Sequence, residues 1–187
     1  MVMELNGKWP ASGIIHTEEN VTLAWIDDGL LGELAGLAAE GIFSQPYPSY
    51  AFPWAKGDAE TIRRNVVEYQ RGVRTTCGPE EWRLECAVIV DKQPAGVVGI
   101  GASEWQTRKA AVSGSWLGRR YQGRGIGFTA ARGLLRVYFD ELGGDEARRV
   151  VYPENVASLR VGEKLAYVRE EGNVFLLTKE QFRARFC

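Results

Sequence analysis

Histidine and cysteine are scarce in this chain: His16 is the one histidine among 187 residues, and the three cysteines are Cys77, Cys86 and Cys187. An odd cysteine count without CxxC or ligand-like spacing argues against a disulfide framework and against zinc, so no metal is expected and a reducing cytoplasm is the expected setting. A basic surplus is also missing. The formal charge is −1 and the pI near 6.0, which argues against a nucleic-acid partner as the main business of the chain. Residues 1–13 lack the apolar run of a signal peptide, and no stretch approaches the roughly 20 apolar residues that span a bilayer, so no membrane partner is expected. Repeats, low-complexity tracts and linkers are absent too. That leaves one domain, 1–187, whose 45% hydrophobic content suffices for a packed core.

Hydrophobic periodicity places the elements. After a polar leader, 21–26 reads as a strand, and Asp27-Asp28 caps a helix carrying Leu30, Leu31, Leu34 and Leu37 that closes at Gly41. Residues 43–54 hold Pro46, Pro48 and Pro53 among aromatics and cannot be regular, because proline removes donors and fixes φ. A helix capped by Asp58 runs to about Arg71. Then the period changes to two: 82–90 and 96–103 form a hairpin about the turn 91–94, and 110–117 adds a third antiparallel strand. A glycine-rich loop, 119–127, leads into a helix ending at Gly143-Gly144. A strand at 148–152, a helix at 155–165 and a β pair, 167–170 with 174–178, complete an α/β chain.

The loop Gln122-Gly123-Arg124-Gly125-Ile126-Gly127 lies between a strand and a helix, an order that gathers backbone N–H groups and a helix N-terminus at one spot, as phosphate sites require. It lacks the Gly-Lys-Ser/Thr of a Walker loop and the spacing of a Rossmann loop. Between Trp105 and Phe139 there is no Asp or Glu, whereas Arg108, Lys109, Arg119, Arg120, Arg124, Arg132 and Arg136 all fall there. Such segregation in a chain of nearly zero net charge predicts a polyanion site, and arginine suits phosphate geometry.

These residues resemble the GNAT acyltransferase superfamily. The loop is similar to its Q/R-x-x-G-x-G/A signature, and Asn155-Val156-Ala157-Ser158 with Lys164-Leu165-Ala166-Tyr167 resembles the ending of the branch that acylates ribosomal-protein N-termini; the likeness spans about 82–178. It implies a GNAT fold: a mixed, mostly antiparallel central sheet flanked by helices, with splayed strands holding acyl-CoA, and a cofactor-binding core at about 112–167. Backbone groups of Ser115, Trp116 and Leu117 would pair with the pantetheine arm, with the Leu117 N–H beside the thioester oxygen. Amides of Gln122, Gly123, Arg124, Gly125, Ile126 and Gly127 would take the pyrophosphate, and Asn155 the pantetheine amides, unless Asn155 is simply a helix N-cap. Residues 45–54, Trp82-Arg83-Leu84 and 114–118 resemble a narrower subgroup, some members of which prefer succinyl-CoA to acetyl-CoA, and the resemblance implies either donor. Many members carry a tyrosine four positions after the serine; here that position is Gly162, so Ser158 becomes the candidate acid.

Acyl transfer to nitrogen needs a neutral amine. An α-amino group of pKa about 8 is about a tenth neutral at pH 7, a lysine near 10.4 well under a thousandth, so a base matters most for lysine. Glu104, Glu154 and His16 are the candidates, Glu104 foremost. Tyr47, Tyr50, Phe52 and Trp54 would wall the acceptor, a small-molecule or protein N-terminal amine, or else pack in the core or a homodimer. The other readings are a CoA-binding sensor or scaffold without catalysis, and a nucleic-acid-associated domain using the basic tract.

Overall fold

The computed structural model describes residues 13–43 and 52–187. Eight strands form one sheet in the order β1-β2-β3-β4-β5-β6-β8-β7, all neighbours antiparallel except β5 and β6. The strands are β1 Ile14–Glu18, β2 Val21–Trp25, β3 Trp82–Val90, β4 Gln93–Ala102, β5 Ala110–Leu117, β6 Glu146–Val150, β7 Val168–Glu171 and β8 Val174–Thr178. The helices are α1 Asp28–Ala39, α2 Ala59–Arg74, α3 Ile126–Arg136, α4 Val156–Lys164 and α5 Lys179–Phe186. This is the α/β, mostly antiparallel sheet flanked by helices that the sequence implies. Among the described residues no helix is long and apolar enough to cross a membrane.

Period-two alternation divides the core. Leu84, Cys86 and Val88 of β3 and Val98 and Ile100 of β4 face α3, while Ala87 and Val97 face α1 and α2. Both of the latter helices start as expected, Asp27 Oδ1 accepting from Leu30 N and Asp58 Oδ1 from Thr61 N, each at 2.8 Å. α3 continues into a wider π turn, Val137–Glu141, which buries Val137, Tyr138 and Phe139 in succession. The Tyr138 hydroxyl donates toward Lys109 O (3.0 Å) and Glu146 O (2.8 Å), clamping the starts of β5 and β6 together.

Several boundaries differ from the sequence reading. The leader contains β1, whose partly exposed residues gave no apolar pattern. α2 runs to Arg74, β6 begins two residues early, and α5 is additional, held by a capping box between Thr178 and Gln181. The 91–94 turn is only Asp91-Lys92, both at positive φ, and Gln93 and Pro94 belong to β4. Tyr47, Tyr50, Pro46 and Pro48 lie outside the described residues. Phe52 and Trp54 flank and form a short 3₁₀ turn, and Trp54 packs on Trp116 at 5.6 Å between ring centroids.

β1 also explains two arginines. Glu18 accepts from Arg132 Nε (2.8 Å), Arg136 Nε (3.0 Å) and His16 Nε2 (3.0 Å). Partial burial raises its pKa, but His16, Arg136 and Arg132 together outweigh that and leave it below the usual glutamate value. A depressed carboxylate contributes stability at neutral pH that is lost as pH falls through its folded-state value. Thermal melts should therefore lose stability in acid, and Glu18→Gln should lower the neutral-pH melting temperature while flattening that acid dependence; an unchanged dependence would remove Glu18 from it.

Candidate active site

β5 and β6 pair only at Ala110, Ala111 and Val112, opposite Glu146, Ala147 and Arg148. Beyond Val112 they diverge, because Tyr138 holds the closed end while α3 and its loop enter from the other. Gly118 N donates to Ala95 O (3.0 Å), which sets the alternation along β5: Trp116 and Gly114 direct main-chain groups to β4, and Ser115 and Leu117 direct theirs to the open edge. This corrects the expectation for Trp116, whose backbone is engaged in the β4 ladder. Its ring lies under α1 and α2.

The glycine loop adjoins that edge. Gln122 Nε2 donates to Leu117 O (2.8 Å) and Ile42 O (2.7 Å), tying the loop to the end of β5 and to the exit of α1. Gly123 and Gly125 adopt φ of +73° and +80°, and Gly125 caps α3 without any side-chain hydrogen bond. Phe128 N and Thr129 N donate to Gly125 O (3.0 and 3.1 Å), which leaves the amides of Ile126 and Gly127 to be offered outward at the positive end of α3. Between the diverging strands lies a narrow cleft, lined by Ser113, Gly114 and Ser115 on one side and by Leu135, Arg149 and Tyr167 on the other.

Arg149 is the residue that sequence reasoning missed. It is 8% exposed, donates through Nη2 to Ser158 Oγ, and stacks over the Tyr167 ring at 5.4 Å. No carboxylate among the described residues pairs with it, and burial pulls its pKa down despite the influence of Tyr167. Since Ser113 Oγ donates to Arg148 O (3.2 Å), the Tyr167 hydroxyl at 3.3 Å must donate to Ser113. Burial raises the Tyr167 pKa, with the Arg149 charge opposing it. A Cβ on Gly162 would stand 3.8 Å from Arg149 Nη1, so the position of the usual tyrosine looks onto this guanidinium. The signal was present in the sequence: of Arg148 and Arg149 on one strand, the period of two must turn one inward.

Ser158 thus reaches the cleft network, and Asn155 caps α4, its Oδ1 accepting from Ser158 N at 3.0 Å. That leaves the Asn155 amide NH₂ as a remaining donor. Glu104 is not brought here. It stands at the far end of β5 from the loop, 70% exposed, 3.9 Å from Arg108. Glu154 is exposed, and His16 packs against α3 near Gly133.

Four of the seven cations in the basic tract are paired with acids from outside it, which narrows the charge left for a polyanion to the residues around the glycine loop. Arg120 pairs with Glu40, Arg132 with Glu18 and Glu19, Arg136 with Glu18 and Arg108 with Glu104, while Lys109 lies over Trp105. Arg119 lies against Gly41 at the C-terminal end of α1. Among the described residues of the glycine loop, Arg119 and Arg124 are exposed and enter no ion pair, and Arg124 is the one that lies between the loop glycines.

The architecture has close parallels. The Mycobacterium smegmatis protein RimJ, solved in complex with CoA-disulfide, superposes with a TM-score of 0.72 at 19% identity over 93% of this chain and 90% of its own. RimL, a ribosomal L7/L12 α-N-protein acetyltransferase solved with coenzyme A, gives 0.65 at 19% identity over 90% and 99%. The microcin C7 self-immunity acetyltransferase MccE, solved with acetyl-CoA and AMP, gives 0.60 at 19% over 86% and 93%. Residues 31–168 match the sequence model of the acetyltransferase (GNAT) domain, a span that holds the splayed strands, the glycine loop and Ser158, and the chain belongs to the GNAT acetyltransferase family.

Proposed function

We propose that this chain transfers an acyl group, acetyl or succinyl, from a CoA thioester to a primary amine by direct attack in a ternary complex. The observation that carries this reading is the cleft between β5 and β6, lined by Ser113, Ser115, Arg149 and Tyr167, with Ser158 held by Arg149 and the start of α3 at Gly125 free of any side-chain cap. Loop amides from Gln122 to Gly127 take the pyrophosphate, and the pantetheine arm runs inward along β5. The cleft reaches Ser113 and Ser115, whereas Leu117 stands at its mouth beside the loop. Ser115 N–H is therefore the better donor to the thioester oxygen than Leu117 N–H, which is left for the arm.

Ser158 protonates the departing thiolate, and the Arg149 guanidinium, by donating to Oγ, makes that hydroxyl the stronger donor. A non-catalytic CoA binder rests on Gly162 alone, and Ser158 with Arg149 fills the role left vacant there. The acceptor is read as a protein N-terminal amine, supported by the structural likeness to RimL, itself an α-N-protein acetyltransferase.

Calorimetry with CoA, acetyl-CoA, succinyl-CoA and duplex DNA, followed by an amine screen read out as free thiol, tests the reading. Nanomolar-to-micromolar CoA binding with thiol release supports it; binding of DNA alone overturns it. CoA affinity should also fall with salt, and Arg124→Gln should lower it severalfold and flatten the salt slope, since Arg124 stands between Gly123 and Gly125 with no internal ion pair. An affinity flat in salt would remove the electrostatic contribution.

A further inference from the structure

A buried carboxylate on the opposite face of the sheet has no part in the chemistry above. On β3, Arg83 and Glu85 turn toward α1 and α2, between Trp82, Leu84 and Cys86 on the α3 side. Their partners on β4 are Gly101 and Gly99. A Cβ on Gly99 would lie only 2.4–2.5 Å from Cδ and both oxygens of Glu85. The carboxylate therefore rests directly over β4, in space that any side chain at 99 would fill. The same cross-strand row continues to Gly114 of β5, which is exposed, with no described atom within 4 Å of a Cβ built there.

Two glycines in file thus clear the sheet face from the Glu85 carboxylate to the strand that bounds the acyl-CoA cleft. Gly114 lines that cleft from its other side. Adjacent strands lie roughly 4.8 Å apart, so the carboxylate stands about one strand spacing from the Gly114 column.

Glu85 is 8% exposed and firmly oriented: its Oε1 accepts from Arg83 Nε at 2.9 Å and from the Tyr69 hydroxyl of α2 at 3.3 Å. Burial raises its pKa, with Arg83, Tyr69 and Gln70 opposing. The other charged group near it is Arg74 of α2, which lines a small open pocket together with Glu85 and Gln70 and is paired to Asp28 at 2.7 Å. Burial, then Glu85, pushes the Tyr69 hydroxyl up to about 12, so it stays a donor at neutral pH. A carboxylate moved upward is better matched to an amine near pKa ~8 than a solvated one.

We propose that Glu85 is the catalytic base, taking a proton from the acceptor ammonium above Gly114, so that the amine arrives from the α1–α2 side while acyl-CoA enters from the α3 side. This rests on the transferase reading. Glu85 accepts one proton from R–NH₃⁺ and passes it to solvent. The neutral nitrogen attacks the thioester carbon, forming the C–N bond. As the C–S bond breaks, the second nitrogen proton is lost to solvent, and the thiolate gains one by way of Ser158.

The test is single-turnover acetyl transfer at saturating acetyl-CoA, comparing a short peptide with a free α-amine against methoxyamine, which is neutral at pH 7. Glu85→Gln should slow the peptide reaction roughly tenfold or more and erase its acid-side pH dependence, while the methoxyamine rate stays near wild type. Equal loss with both amines, or with neither, overturns the proposal. Glu85→Asp, which keeps the charge but withdraws it, should retain the pH dependence at a lower peptide rate; a flat profile in that variant also overturns it. Acetyl-CoA calorimetry runs alongside. Wild-type protein that binds no acetyl-CoA removes the functional reading itself, whereas normal binding with amine-independent effects removes only Glu85.

Discussion

Gly125→Val is expected to weaken CoA binding roughly tenfold or more, about 1.4 kcal/mol. Gly125 caps α3 at φ +80°, a region closed to β-branched residues at a cost on the order of 1–3 kcal/mol. No described atom lies within 4 Å of a Cβ there, so the protein itself has room for the side chain. That room is where a pyrophosphate would approach the amides at the start of α3, and a valine both occupies it and turns those amides aside. Gly127 offers the contrast: its Cβ would meet only Leu117 Cδ1, at an ordinary 3.6 Å, and its φ is not left-handed. Gly127→Ala should leave affinity within about threefold, about 0.7 kcal/mol. Acetyl-pantetheine, which lacks the pyrophosphate, should not distinguish Gly125→Val from wild type. Calorimetry on variants with native melting curves measures all three, and unchanged CoA affinity in folded Gly125→Val would sink the placement of the phosphates.

Replacing Arg149 by methionine should slow single-turnover acyl transfer by about 10- to 100-fold, as expected for a hydrogen bond to a charged group worth roughly 1.5–3 kcal/mol. KM for acyl-CoA should change little, because the interaction strengthens as negative charge reaches sulfur. Ser158→Ala should cost less. A thiol near pKa ~8.5 leaves with little help, and in that variant the guanidinium itself faces the thiolate. The double variant should be no slower than Arg149→Met alone, since serine acts through arginine's charge. Stability offers a separate check. Among the described residues Arg149 is a buried cation without a carboxylate, so an apolar replacement of similar length should leave the melting temperature unchanged or higher, and a slow enzyme cannot then be ascribed to unfolding. Wild-type single-turnover rates in both single variants would remove the pair from the mechanism and leave water or Tyr167 as the proton source.

The glycine loop, the N-caps Asp27, Asp58 and Asn155, and the hairpin of β3 and β4 were all legible because each is a local pattern: spacing, a short polar side chain, an alternation of period two. β1 was not legible, since Ile14–Glu18 is an edge strand with mixed burial, and α5 is too short and polar for its period to stand out. Glu104 was favoured on sequence for its place at the edge of the acid-free tract, yet it ends at the opposite end of β5 from the glycine loop.

By itself the sequence determined the order of elements, the loop that gathers amides at the start of α3, and the family-like run through Ser158, because these depend on neighbours within a few residues. Only the tertiary structure decided which charges remain available. Glu18, Glu19, Glu40 and Glu104 pair with four of the seven cations of a tract that contains no acid of its own, and among the described residues Arg149 is left buried against Ser158 without a carboxylate. Glu85, remote in sequence from the loop, lies in one row with Gly99 and Gly114. Chain distance carries no information about such pairings, since sheet register and helix packing bring together side chains that the order of residues keeps far apart.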